Sequence, residues 1–480
     1  MKRKIKMFTL FSGYDSQMMG LTDAVKNFKN RYSVELVGWS DIDPLVQLVH
    51  NLAFPEYADR CYPDVSKIDW RQVDDFDILF YSSPCQNASR SGRREGFEKG
   101  SGTESSLIWE FERAIASKRP KWLILENVEG YLDPRNDEDF KKWTRTVASY
   151  GYVSYYKVLC AADFGIPQNR KRLIMVSMRI DNGEEKTFDW PKTTKLKMKP
   201  EDLLSDVVDD RYYLTVEETK TYIDIIRNAK SGYVSTVNSK IEYPSKLLTS
   251  QLTKCISRFV YPLCANGTIQ TLMTAAGGTS LTNMTGCRRE RAASVIEVWE
   301  GNKNIIPKLL QNMKPSKQTV KAERVCANRE KFLDVVDNLK EGQYLRIRRL
   351  TPKECLRFMG VENLYLNRIL QPYETLAKEG YTDEQIAKLV MINGRRYKTS
   401  DYSLYWRAGN SIVVNVLSAV FTSIIMQYPD SFGEFASMSP KERKAAMKRE
   451  YQRRYYAKHK EEVQRKSREY HRQQRAIKKR

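Results

Sequence analysis

The chain has 480 residues, of which 41% are hydrophobic and 29% charged, and this composition excludes a fibrous or disordered protein and favours two or three globular domains. No stretch approaches the roughly 18 uninterrupted apolar residues of a membrane helix, and the basic residues 1–6 lack a signal-peptide core, so we expect a cytoplasmic protein. The net charge of +22 indicates a polyanionic partner.

The eight cysteines are dispersed, without a Cys-x-x-Cys pair, and the chain contains three histidines. Zinc ligands come in close pairs, so we expect no structural metal site and predict reduced thiols.

Short apolar runs alternate with helical patterns in the first third of the chain, which predicts strand–helix–strand units of a parallel sheet in an α/β fold. Strands are predicted over 5–11, 34–39, 76–81, 122–125, 152–159 and 173–176. Helices are predicted near 17–28, 44–52, 107–117 and 137–149.

From about residue 181 to residue 343 no steady period is present, which indicates a separate, irregular, basic domain. Order returns after Arg349, where Thr351, Pro352 and Glu354 predict a helix that starts with a capping box. Further helices are expected near 375–393 and 412–426.

The last 40 residues are strongly basic, since residues 441–480 hold 17 basic and 5 acidic side chains. Such a segment, with tyrosines among the arginines and lysines, suits nonspecific contact with a nucleic-acid backbone. A solvated, partly helical extension without a dedicated role is an equally good interpretation.

A candidate nucleophile, Cys85, follows the apolar run 76–80 through Ser82, Ser83 and Pro84. A buried strand that stops at such residues delivers the next ones to the carboxyl edge of a sheet, where ligands bind in α/β folds. Proline and small polar neighbours leave the thiol accessible to a substrate. Taken alone, Cys85 is more often a small buried hydrophobe.

Candidate ligand-binding residues follow the first strands. Phe11, Ser12 and Gly13 form a small-residue turn between a strand and a helix, where backbone amides can approach a nucleotide-like ligand. Asp41 follows the second strand, where an acid commonly binds ribose hydroxyls, and Asp64 can accept from an adenine amino group. For each acid, a helix cap or a solvated loop residue is an equal alternative.

Two further groups end or begin apolar strands. Glu126 ends a buried strand, where a carboxyl with a raised pKa can serve as a general acid, although a buried ion pair is the alternative. Arg170 and Arg172 alternate before another strand and are therefore expected to face one anionic or carbonyl-rich site together. An exposed basic strand edge would show the same pattern.

Together these blocks resemble the DNA (cytosine-5)-methyltransferase family. The resemblance rests on six blocks in order: Phe11-Ser12-Gly13, Pro84-Cys85-Gln86, Glu126-Asn127-Val128, Gln168-x-Arg170-x-Arg172, Arg349-Leu350-Thr351-Pro352-x-Glu354 and Gly409-Asn410-Ser411. It covers residues 1–180 and 345–427. It implies a Rossmann-like methyltransferase fold with a mixed sheet and a smaller, irregular target recognition domain, and S-adenosylmethionine as the cofactor.

The resemblance also implies roles for residues. Cys85, flanked by Pro84 and Gln86, would attack carbon 6 of a flipped cytosine. Glu126 would hold and protonate nitrogen 3, Arg172 would bind the carbonyl oxygen, and Arg170 is implied as a further catalytic residue. The implied cofactor residues are Phe11, Ser12, Gly13, Asp41, Ile42, Asp64, Val65, Asn410 and Ser411. The implied DNA-binding residues are Ser89, Arg90, Thr271, Leu272, Arg288 and Arg289.

The chain is therefore expected to divide into a first catalytic part (1–180), a target recognition domain (181–345), a return segment that completes the catalytic domain (346–430) and a basic tail (431–480). The expected partner is duplex DNA, bound by a bacterial or phage monomer, with or without a separate restriction endonuclease. A transfer RNA cytosine-5 methyltransferase and a catalytically silent DNA-binding regulator are the alternatives.

Three features depart from the family's pattern. Tyr14, Asp15 and Ser16 replace the later glycines of its first loop, which puts the cofactor affinity in question. Asp41 stands where a glutamate is more usual, and the segment 361–407 is longer than expected.

Overall fold

The computed structural model describes residues 3–28, 31–84, 104–180, 186–228, 252–261, 268–272, 294–301, 329–340 and 343–431. The first part of the chain contains, in order, β1 (Arg3–Leu10), α1 (Ser16–Lys26), β2 (Tyr32–Ser40), α2 (Pro44–Ala53), β3 (Ile78–Tyr81), α3 (Glu110–Lys118), β4 (Trp122–Val128), α4 (Asp137–Ser149), β5 (Tyr152–Cys160), β6 (Gln168–Asn169) and β7 (Lys171–Arg179). All six predicted strands are confirmed, as are the four helices between them.

Six of these strands form one sheet in the order β2-β1-β3-β4-β7-β5. The first four strands are parallel, whereas β7 runs antiparallel to both β4 and β5. The prediction of a parallel sheet therefore holds for four strands, and the sheet as a whole is mixed.

Alternate residues of the central strands face two different hydrophobic cores. On β3, Ile78 and Phe80 pack into one core together with α1, while Leu79 and Tyr81 pack into the other together with α3 and α4. Because both faces are covered by helices, β3 is apolar throughout instead of alternating.

The described residues from Val216 to Arg349 contribute a second, smaller unit. It contains α5 (Val216–Asn228), β8 (Leu252–Tyr261), β9 (Ile269–Gln270), β10 (Ser294–Gly301), α6 (Arg329–Asp337) and β11 (Gln343–Arg349). Strands β11, β10 and β8 form an antiparallel sheet in that order, and α5 and α6 pack on it through a separate cluster that includes Tyr222, Ile296 and Phe332.

The structure moves both predicted boundaries of this unit. The boundary at 345 falls inside β11, which pairs with β10 as far as Arg349. At the other end, Phe188 and Leu204 are buried in the core shared with α1, so residues 186–204 pack with the first part of the chain.

The return segment contains α7 (Pro352–Arg357), α8 (Asn363–Leu370), α9 (Pro372–Lys378), α10 (Asp383–Leu389), the hairpin β12 (Met391–Ile392) and β13 (Arg395–Arg396), α11 (Asp401–Asn410) and α12 (Val414–Gln427). The capping box of α7 is confirmed, since Thr351 and Glu354 each bond to the other's backbone amide. The helical segments predicted near 375–393 are confirmed. The chain breaks at Gly380, whose φ is +94°, and two helices form.

Helix α12 packs against α1 and completes the first core. The approach is close, because a Cβ placed on Gly20 would lie 2.6 Å from the Cβ of Leu417. The stretch Asp401–Gln427 has the length and apolar composition of a membrane helix, but 56% of its most apolar window is buried in the protein and its backbone turns extended at Ser411. It serves as a core element.

Candidate active site

The first loop connects β1 to α1 at the carboxyl edge of the sheet. Phe11 and Gly13 have φ angles of +55° and +58°, a left-handed conformation that glycine adopts without strain. The amide of Ser12 donates to Ser40 O at 3.0 Å, and the amide of Gly13 donates to Asp41 Oδ2 at 3.1 Å. A Cβ on Gly13 would have no atom within 4 Å, so the space beside the loop is open.

Asp41 and Ile42 follow the end of β2 on the other side of this space. Besides the Gly13 amide, Asp41 accepts a bond from the Asp43 amide at 3.2 Å. Burial raises the pKa of Asp41 to about 6, against the two amide bonds and the charge of Arg407, which lower it. The aliphatic side chain of Ile42 is 71% exposed.

The segment that contains Asp64 and Val65 lies beside β2, because the amide of Tyr62 donates to Trp39 O at 2.8 Å. Asp64 caps a short turn by accepting from the amide and hydroxyl of Ser66, at 3.0 and 2.7 Å. The Ser66 hydroxyl is the main reason why the pKa of Asp64 is lowered. The capping interpretation of Asp64 thus describes its contacts, while Val65 is buried.

The residues that lead to Cys85 are held from three sides. The hydroxyl of Ser82 donates to Phe11 O at 3.4 Å, and that of Ser83 lies 2.9 Å from the hydroxyl of Tyr131. The side chain of Asn127 donates to Ser83 O at 3.0 Å. Pro84 follows Ser83 and ends the described segment. The predicted residues Cys85, Gln86, Ser89 and Arg90 lie outside the described residues.

Glu126 and Arg172 form an ion pair at this edge. They lie on the neighbouring strands β4 and β7, and Arg172 Nε is 3.2 Å from Glu126 Oε1. Only 8% of the Glu126 side chain and 18% of the Arg172 side chain are exposed. Burial raises the pKa of Glu126, and the charges of Arg172 and Arg170 counter this shift only in part. A carboxyl in this environment can hold a proton and donate it.

Arg170 has different partners, which corrects the expectation that the two arginines face one site together. It is 2% exposed and donates to Leu272 O at 2.9 Å, to Gly409 O at 2.8 Å and to Ser411 O. Arg170 lies between β6 and β7, outside a regular strand alternation, so the side-chain alternation assumed from the sequence does not apply.

Thr271 and Leu272 are attached to the same block. Strand β9 pairs with β6, the Thr271 hydroxyl donates to Asn169 O at 2.7 Å, and the Leu272 amide donates to Gln168 Oε1 at 3.1 Å. These contacts join the segment of β9 to the segment that leads into β7 of the main sheet. Arg288 and Arg289 lie outside the described residues.

The late block at Asn410 and Ser411 returns to the first loop. Ser411 Oγ lies 3.1 Å from Ser16 Oγ, at the start of α1, and Asn410 is exposed beside it. The hydroxyls of two residues 395 positions apart in sequence are thus in contact.

Sequence reasoning missed several residues that lie near the first loop and the end of β2. Arg407 pairs with Asp43 at 2.7 Å and joins α11 to the start of α2, and Asp15 pairs with His50 beneath the first loop. The dipeptide Asp43-Pro44 indicates the start of a helix. Nothing in the sequence around Asp43 indicates that its partner is Arg407. His50 reads as one more residue of a buried helix face.

The fold defines the class of protein. A crystal structure of the Dnmt2 methyltransferase of S. pombe superposes with a TM-score of 0.50 over 88% of this chain and 99% of that chain, at 15% identity. At this identity the similarity concerns the fold, which is that of a Rossmann-like methyltransferase with a mixed sheet.

The family follows from the sequence comparison. The family model "C-5 cytosine-specific DNA methylase" matches residues 5–426, so the chain belongs to this family. The orphan methyltransferase M.SPRI of Bacillus phage SPR is 26% identical over 88% of this chain and 98% of its own length.

Type II methyltransferase M2.ScrFI of Lactococcus lactis subsp. cremoris is 38% identical over 35% of this chain, and orphan methyltransferase M.SssI of Spiroplasma monobiae is 36% identical over 37%. These two matches span about half of each relative, 46% and 47%.

Proposed function

We propose that the protein transfers a methyl group from S-adenosylmethionine to carbon 5 of cytosine within a specific duplex DNA sequence. The observation that carries this proposal is the buried Glu126–Arg172 pair at the sheet edge. Asn127 follows Glu126 and holds the backbone of Ser83, two residues before Cys85. The chain thereby brings an acid, a guanidinium and the approach to a thiol to one place.

The residues of the first loop and of the end of β2 fit S-adenosylmethionine. The open space beside Gly13, the exposed apolar side chain of Ile42 and the carboxylate of Asp41 suit a backbone approach, an adenine face and ribose hydroxyls respectively. Phe11, Ser12, Val65 and the block at Asn410 and Ser411 complete the proposed pocket, with Asp64 at the adenine amino group. When bound, the cofactor supplies an electrophilic methyl group.

The side chains of this chain prepare the cytosine. The Cys85 thiolate adds to carbon 6 of the ring, since carbon 5 by itself is a poor nucleophile. Glu126, whose pKa is raised by burial, donates a proton to nitrogen 3, and Arg172 donates to the carbonyl oxygen, so both oppose the negative charge that builds on the ring. Once carbon 5 has accepted the methyl group, loss of the carbon 5 proton and elimination of the Cys85 thiolate would release 5-methylcytosine.

A base inside a duplex cannot reach this pocket, so it must be flipped out, which costs a few kcal/mol. We assign Ser89, Arg90, Thr271, Leu272, Arg288 and Arg289 to DNA contact. Arg170 acts as a positioning residue, because it joins the recognition region at Leu272 to the block at Gly409 and Ser411. The positive charge of the whole chain supports the assignment of a polyanionic substrate.

The proposal extends to a monomer acting in the cytoplasm of a bacterium or a phage-infected cell, either solitary or beside a separate restriction endonuclease. Both situations have precedent in the similar proteins, which are named orphan and Type II methyltransferases.

The experiment that tests this function is expression in a host lacking cytosine methylation, followed by bisulfite sequencing of the host DNA. We expect protected cytosines within one short motif, and we expect Cys85→Ser to remove the protection while the protein remains soluble. Soluble wild-type protein without protected cytosines in DNA contradicts the proposal. In that case the same sequencing applied to the host's transfer RNA tests an RNA substrate.

A further inference from the structure

A buried acid lies directly beneath the proposed cofactor loop. Asp15 is fully buried, and its carboxylate accepts hydrogen bonds from the Met18 amide at 2.9 Å, from the Thr9 hydroxyl at 2.9 Å and from His50 Nε2 at 3.2 Å. His50 is also fully buried. The first bond caps α1, whereas the other two reach β1 and α2.

The backbone of the loop requires such support. Asp15 has a φ of +60°, so three residues of the five from 11 to 15 are left-handed, and two of these three are not glycine. Aspartate tolerates this conformation better than most residues because its short polar side chain bonds locally. The Asp15 side chain bonds locally to the Met18 amide and also to Thr9 of β1 and His50 of α2.

His50 connects this acid to the other side of the pocket. Its ring stacks on Trp39, with 3.6 Å between the ring centroids and 15° between the planes. Trp39 lies on β2 two residues before Asp41, whose carboxylate accepts the amide of Gly13. The contacts therefore close a ring through the first loop, β2 and α2, and both walls of the proposed pocket belong to it.

We infer that Asp15 and His50 are positioning residues that hold the first loop in its ligand-binding conformation before the cofactor arrives. This inference rests on the proposed function, because the ligand is S-adenosylmethionine. A glycine at position 15 would adopt the left-handed conformation easily, but it would lack the hydrogen bonds of the Asp15 side chain. We therefore expect a glycine there to make the loop less ordered.

Asp15→Gly and Asp15→Asn distinguish the effect of the Asp15 side-chain bonds from the effect of the backbone conformation at this position. Both residues adopt a φ of +60°, but only asparagine keeps a side chain that accepts from the Met18 amide. We expect the dissociation constant for S-adenosylmethionine, measured by titration calorimetry, to rise at least tenfold in Asp15→Gly and about threefold in Asp15→Asn. The KM for the cofactor should rise in parallel, while kcat at saturating cofactor stays within about twofold.

A readout without ligand addresses the loop itself. Hydrogen exchange of the peptide covering residues 11–20 should be faster in ligand-free Asp15→Gly than in the wild type. His50→Gln should weaken binding less in the Asp15→Gly background than in the wild type, because the two residues act through one contact. Asp23→Asn serves as the control, since Asp23 lies on the same helix and accepts from Ser418 at 2.6 Å, away from the loop.

The outcomes distinguish this inference from the proposed function. Wild-type protein that does not bind S-adenosylmethionine refutes the function, whereas wild-type binding with an unchanged affinity in Asp15→Gly refutes the positioning role. If Asp15→Gly fails to fold, Asp15→Asn and His50→Gln decide: wild-type affinity in both overturns the inference. A loss that Asp23→Asn reproduces also overturns it, because the effect would then be a general weakening of α1.

Discussion

The clearest quantitative prediction concerns the pH dependence of cofactor binding through Asp41. Its pKa of about 6 lies above the ordinary value of 3.8. If the charged carboxylate accepts the ribose hydroxyls, about one molecule in eleven is in the binding form at pH 5, so the affinity for S-adenosylmethionine should fall about tenfold between pH 8 and pH 5.

The stability of the ligand-free protein should change in the opposite direction. Because the pKa is raised in the folded state, the contribution of Asp41 to the free energy of unfolding is fully present below pH 3.8 and is lost as the pH rises through about 6. A shift from 3.8 to about 6 corresponds to at most about 3 kcal/mol. Asp41→Asn should therefore be more stable than the wild type at pH 8 while binding the cofactor more weakly.

Calorimetric titrations with S-adenosylmethionine from pH 5 to pH 8, together with urea unfolding at the same pH values, measure both effects. The affinity of Asp41→Asn should vary little over this range. Asp64→Asn changes another proposed cofactor contact, but its affinity should keep the pH dependence of the wild type, because the pKa of Asp64 is lowered and the group stays charged throughout. A tenfold pH dependence that persists in Asp41→Asn would show that another group titrates and would refute the reasoning.

Three further substitutions test other parts of the site. Glu126→Gln should lower kcat by about 10² or more while leaving the dissociation constant for S-adenosylmethionine within twofold, and a parallel loss of cofactor binding would contradict the assignment. A lysine at position 170 cannot reach three carbonyl groups at once, so we expect Arg170→Lys to bind both DNA and cofactor more weakly. Its free energy of unfolding in urea should fall by about 2 kcal/mol. Unchanged DNA affinity would contradict the linking role of Arg170. Glu354→Gln removes one of the two charged partners of the buried Arg348, at 2.8 Å. The free energy of unfolding should therefore fall by about 3 kcal/mol or more. A loss below about 1 kcal/mol would show that Glu297 alone balances the charge of Arg348.

Elements with a strong local signal were predicted well from the sequence. Strand β3 is apolar throughout, β4 begins with an apolar run, and the start of α7 carries a complete capping box, so neighbouring residues suffice to indicate these elements. Helical segments were also predicted between residues 375 and 393, but not the point at which they divide. The helical pattern continues across Gly380, and whether a chain bends at a glycine depends on what the flanking helices pack against, here Leu48 and Leu52 of α2.

The same division applies to the site. The order and chemistry of its blocks can be read from the sequence, because Phe11, Glu126 and Ser411 each stand at the end of an element that the sequence predicts. The partners of each side chain depend on the tertiary structure. Arg170 and Arg172 look equivalent in the sequence, yet one holds three backbone carbonyls and the other pairs with Glu126.

The sequence by itself determined the elements of the main sheet, the family and the residues proposed to do the chemistry, because these depend on local periodicity and on short motifs. Only the tertiary structure decided that β7 runs antiparallel to β4, that α12 completes the first core and that Asp15 meets His50. Contacts between residues far apart in sequence depend on how whole helices and strands pack against each other. Each packed surface is formed by residues from several stretches of the chain, so no single stretch predicts it.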